Sequence, residues 1–74
     1  MPIFKAKCTA IPVEMIRNKT LSLGARGLFS FILSLPDSQE VNESWLLEQA
    51  DGYVIDDING MLIELEEQGY LSVY

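Results

Sequence analysis

Residues 3 to 10 alternate between apolar and polar positions. Phe4, Ala6, Cys8 and Ala10 fall on one side and Lys5, Lys7 and Thr9 on the other, with Ile3 at the end of the polar side. A period of two predicts a half-buried strand. Ile11-Pro12 breaks it. Pro12 suits the first turn of a short helix over Pro12 to Arg17, because its missing N–H would have no helical partner there. Glu14 meets the positive end of that helix. The period then lengthens. Ala25, Leu28, Phe29, Ile32 and Leu33 recur at i, i+3, i+4, i+7 and i+8, which predicts a helix from Leu23 to Leu35 capped by Ser22. Phe31 and Leu35 widen its apolar face, so this helix should be central and largely buried. Pro36 ends it, since the residue before a proline avoids the helical region, and Pro36-Asp37-Ser38 reads as a turn.

A shorter helix is expected from Glu43 to Ala50, with Asn42 as cap and Val41 and Leu46 placed as a hydrophobic staple. Asp51-Gly52 forms a turn. A further helix follows over Val54 to Gln68, with Ile58, Met61, Leu62 and Leu65 inward and Val54 one turn earlier on the same side. Gly69 terminates it, and Tyr70 to Tyr74 reads as a short strand. The fold class is mainly α with a small β component, the short N-terminal strand pairing with the short C-terminal strand. The pattern shows no repeat or linker, so residues 1–74 read as one domain. The tight glycine turn between the last two helices matches a helix-turn-helix unit followed by the first strand of a wing.

The run IPVEMIRNKTLSLGARGLFSFILSLPDS resembles the start of winged helix-turn-helix domains of phage and plasmid replication and regulatory proteins. The run INGMLIELEEQGYLSVY is similar to the end of the recognition helix and the glycine-aromatic step into the wing of that group. The segment EVNESWLLEQADGYV between them matches loosely. The resemblance implies a winged-helix-like fold. In that group the last helix offers lysine, arginine, serine and asparagine to DNA, and a second wing strand often adds basic residues. Here the corresponding helix carries no cation, and Tyr74 stands one strand into the wing, so the wing is expected to be truncated.

Charge sharpens this departure. The five bases, Lys5, Lys7, Arg17, Lys19 and Arg26, all precede residue 27, where Glu14 is the only acid; ten acids and no base follow. The net charge is thus +4 before residue 27 and −10 after it, within a chain of net −6. The acidic part should repel a polyanion. With Ile58, Met61, Leu62 and Leu65 inward, the opposite stripe of the last helix is Asp56, Asn59, Gly60, Ile63 and Glu67, flanked by Asp57, Glu64 and Glu66.

Composition and chemistry narrow the function further. The 49% apolar content is that of a globular chain, and 74 residues leave a thin stability margin that a partner or a second copy would widen. There is no histidine and one cysteine, so no intramolecular disulfide forms. The thiol and the absence of a long apolar N-terminal run suggest a cytoplasmic protein. Cys8 reads as a small buried filler rather than a nucleophile. Asp51, Asp56 and Asp57 lack calcium-loop spacing and suit a turn and a helix start instead. No metal, cofactor or catalytic set is implied, and the chain is not expected to be an enzyme. The glycines at 24 and 27 fall inside a helix, where Gly27 should permit close packing. Trp45 reads as core. Tyr53 reads either as core or as an interface anchor, and Ile63 either as a scattered exposed residue or as the centre of a contact.

The first expectation is therefore a small acidic winged-helix protein acting by protein–protein interaction, a phage-type inhibitor that mimics DNA in the way of anti-CRISPR and anti-restriction proteins. Its expected interface is Tyr53, Ile55, Asp56, Asp57, Asn59, Ile63 and Glu67, facing a partner with a basic surface. The alternative is a DNA-binding transcription or replication regulator, acting alone or as a homodimer, through Lys5, Lys7, Arg17, Lys19 and Arg26. Phosphate contacts dominate DNA affinity, which weighs against it. A third expectation is the N-terminal part of a longer protein whose other parts bind DNA.

Overall fold

The computed structural model describes residues 3–7, 10–50 and 52–74. Its elements are β1 (Phe4–Ala6), α1 (Val13–Ile16), α2 (Leu23–Ser34), α3 (Glu43–Gln49), α4 (Ile55–Glu67) and β2 (Leu71–Val73). The fold is mainly helical, and the N-terminal strand pairs antiparallel with the C-terminal one, as the pattern predicts. The register is Phe4 to Val73, Lys5 to Ser72 and Ala6 to Leu71. Ile3 and Tyr74 exchange backbone bonds of 2.9 and 2.8 Å at one end, and the Lys7 N–H donates to the Tyr70 carbonyl at the other, 2.9 Å.

Local chemistry sets the helix ends. The Ser22 hydroxyl accepts the Ala25 N–H at 3.1 Å, and the Asn42 side-chain Oδ1 accepts the Trp45 N–H at 2.9 Å, so both expected caps are made. Leu35 is extended at ψ 151°, as a residue before proline should be, and the Gln39 N–H closes a turn on the Pro36 carbonyl. α4 ends in a Schellman motif. Gly69 adopts φ +85°, its N–H reaches the Glu66 carbonyl, and the Tyr70 N–H reaches the Leu65 carbonyl. This sharp reversal aims the chain straight into β2.

The core lies between α2, α4 and the sheet. Phe29, Leu46, Ile58, Leu62, Leu65 and Leu71 are essentially fully buried, and Met15 and Leu21 belong to the same cluster. Val41 and Leu46, the expected staple pair, are both buried. The Phe29 ring packs tilted against Tyr70, 5.7 Å between centroids. Val41 also accepts the Phe4 N–H at 2.9 Å, which ties the outer edge of β1 to the segment before α3.

Several expectations are corrected. β1 ends at Ala6, opposite Leu71, where its partner strand begins after the Schellman turn; Ala10 is exposed. The places expected for Cys8, Thr9 and Asp51 lie outside the described residues. Val54 is 60% exposed rather than inward: it is the extended N-cap residue, so helical spacing does not apply to it. Phe31 is also exposed, at 37%, and stacks on the half-buried Trp45 with centroids 6.1 Å apart. Gly27 is not a site of close packing, since a Cβ there would have no neighbour within 4 Å. Gly24 is the site of close approach, where a Cβ would stand 2.7 Å from the Met61 sulfur.

Candidate functional site

The burial of Ile58, Met61, Leu62 and Leu65 fixes the rotation of α4. Asp56, Asn59, Gly60, Ile63 and Glu67 consequently face solvent, as the helical period predicts. Tyr53, Ile55 and Asp57 are exposed beside them. Ile55, Asn59 and Ile63 follow one another at four-residue steps, forming a ridge next to the acidic line of Asp56 and Glu67. Ile63 is 45% exposed and Ile55 is 41% exposed. Two apolar side chains thus stand on a helix face that carries acids and no cation.

The acids of α4 have different tasks. Asp56 and Asp57 occupy its first turn, where they meet the positive end of the dipole. The Asp57 carboxylate accepts the Val54 N–H at 3.2 Å; valine has no side-chain acceptor to complete a reciprocal capping box. Glu64 departs from its expected place on an outer flank. It is half-buried, and its two carboxylate oxygens accept the Ser22 N–H at 2.8 Å and the Ser22 hydroxyl at 2.9 Å. One turn on, the Gln68 amide donates to the Thr20 hydroxyl at 3.0 Å. These contacts tie the last turns of α4 to the start of α2.

The alternative basic patch is only partly assembled. Lys5, Lys7, Arg17 and Lys19 are exposed. Lys5 and Lys7 flank the outer side of β1, and the Lys5 ammonium lies 5.4 Å from the centre of the Tyr74 ring. Arg26 leaves the patch. It is half-buried, it donates from Nη2 to the Leu21 carbonyl at 2.8 Å, and its Nε is buried without a hydrogen-bond partner.

One feature escaped the sequence. An apolar groove of about 410 Å³ runs between α2 and the turn joining α3 to α4, lined by Leu23, Gly27, Phe31, Ala50, Tyr53 and Met61 among others. The available signal was the row Leu23, Gly27 and Phe31 at four-residue steps, a second face of α2 beside its core face. Tyr53 and Met61 also line a shallower hollow with Asp56, Asp57 and Glu64. Among the described residues, no helix is long and apolar enough to cross a membrane, and no group of three or more histidine, cysteine or acidic side chains is placed to hold a metal ion. The chain matches no protein-family model, no curated protein and no solved structure.

Proposed function

We propose that this chain is a cytoplasmic protein-binding module on a winged-helix-type scaffold, whose α4 docks onto the basic surface of a nucleic-acid-binding protein and occupies it as DNA would. The observation that carries the reading is the outer face of α4, where Asp56 and Glu67 are exposed around Ile63 and no lysine or arginine is present. Acids at this spacing offer a basic groove the charge it is built to receive, and Ile63 supplies an apolar anchor at their centre. The ordering of Arg26 against Leu21 supports the same reading, since it removes one of five cations from the rival surface.

The test has two arms. The isolated chain should show no binding to a short labelled duplex in fluorescence anisotropy, because the acidic part turns the counterion-release gain into repulsion. Tight binding that weakens steeply with added salt would restore the DNA-regulator reading through Lys5, Lys7, Arg17 and Lys19. In the second arm, the immobilised chain captures its partner from the cells it comes from. Asp56→Lys with Glu67→Lys should stay folded by circular dichroism and lose that capture, whereas Ile63→Arg should act mainly through faster dissociation. Folded variants that bind like wild type would make this face a solvated surface only.

A further inference from the structure

We propose that the groove between α2 and the α3–α4 turn receives α1 of a second copy of this chain, and that two copies each seat α1 in the other's groove to form a closed dimer. The groove is open and apolar. Leu23 at one lip is 80% exposed, and Phe31 and Tyr53 are exposed along it. Gly27 lies in the same lining with empty space where a Cβ would stand. A hollow of about 410 Å³ is within the range of sites that hold ligands, and an uncovered apolar patch with a polar rim marks a contact surface. Its neighbour across Tyr53 and Met61 is acidic, lined by Asp56, Asp57 and Glu64. The fitting occupant therefore presents apolar side chains with positive charge immediately beside them.

The chain itself carries that occupant. α1 turns only Met15 into the core, and Ile11, Val13 and Ile16 remain exposed around it. Arg17 and Lys19 follow directly and are exposed. The knob is apolar, and with Glu14 against Arg17 and Lys19 it carries a net charge of +1; the groove is apolar with acids in the hollow beside it, and both belong to one molecule. A standard interface covers about 800 Å² on each partner, while the whole chain exposes 4832 Å². One four-residue helix in one groove falls short of that area, so the stable arrangement is the two-fold one, which makes the contact twice and closes. Ile63 and Glu67 of the outer α4 face do not line the groove, although Asp56 of that face borders the acidic hollow beside it, so Ile63→Arg should weaken partner capture and leave the dimer unchanged.

The test uses variants chosen to keep the fold. Leu23→Asp with Gly27→Glu blocks the groove: an acid is favourable in the first turn of α2, and position 27 has room for a better helix former. Val13→Asp with Ile16→Ser blunts the knob at exposed positions. Sedimentation velocity should show a concentration-dependent dimer for wild type, weakened at least tenfold in either double variant, as loss of central anchors does. Isotope-labelled knob variant, whose groove is intact, should then show fast-exchange amide shifts at Phe31, Ala50 and Tyr53 that grow as unlabelled groove variant is titrated to high concentration, because this mixture makes the contact once and binds more weakly than wild type. The labelled groove variant should show none of these shifts with unlabelled groove variant. A monomeric wild type, a mass that grows without limit, a double variant that dimerises like wild type, or a mixture without groove shifts would overturn the proposal.

Discussion

Glu64→Ala should destabilise the fold by about 1.3–2.5 kcal/mol, although it removes an acid from a chain with an excess of them. The Ser22 N–H and hydroxyl donate to the Glu64 carboxylate at 2.8 and 2.9 Å across 42 residues of sequence. Hydrogen bonds to a charged group contribute about 1.5–3 kcal/mol each when shielded. Ser22 is exposed and Glu64 half-buried, so water recovers much of this, leaving about 1–1.5 kcal/mol for the pair. α2 has no acid of its own in its first turn, and a carboxylate at that end adds about 0.3–1 kcal/mol through the helix dipole. In a domain of this size the sum lowers the melting temperature by roughly 5–20 °C. Thermal unfolding followed by circular dichroism measures it, with Glu67→Ala as the control. That exposed acid has no such contact and should move stability by less than about 0.5 kcal/mol. Glu64→Gln keeps one acceptor oxygen, loses the charge, and should fall between. The Ser22→Ala variant loses both the cap and the hydroxyl bond. The double variant should therefore cost less than the two singles added, by about 0.5–1 kcal/mol. If Glu64→Ala melts with Glu67→Ala, the tie between α4 and α2 contributes nothing, and Glu64 is one more solvated acid.

Phe29→Ala and Leu62→Ala should each cost about 2–5 kcal/mol, since both side chains are essentially fully buried; urea unfolding that leaves either midpoint at the wild-type value would contradict the core described above. Gly27→Ala should stabilise by about 0.5–1 kcal/mol, because the site is an exposed helix interior with open space. Gly24→Ala should gain nothing, as the new methyl meets the Met61 sulfur; a melting temperature for Gly24→Ala at or above that of Gly27→Ala would show that Met61 moves aside freely.

The elements of this fold were legible in its sequence wherever a local rule decides the outcome. Ser22 and Asn42 cap their helices because a short polar side chain reaches an N–H three residues on. Pro36 and Gly69 end theirs because one restricts the residue before it and the other accepts a positive φ. The inner face of α4 followed from its period, and with it the exposure of Asp56, Asn59, Ile63 and Glu67. Local rules failed where a residue's neighbour comes from far along the chain. The length of β1 depends on where β2 begins. Val54 turned outward because an N-cap residue lies off the helical spiral. The close approach expected at Gly27 falls at Gly24, because Met61 comes up to Gly24 and leaves Gly27 open. Glu64 and Arg26 read as two more surface charges, yet one ties α4 to Ser22 and the other turns back on the Leu21 carbonyl. The groove is the clearest case. Leu23 and Phe31 belong to one helix, but Ala50, Tyr53 and Met61 reach them only through packing. Periodicity tells which side of each helix is apolar; the meeting of three helices decides which apolar side chains are covered and which stay in water.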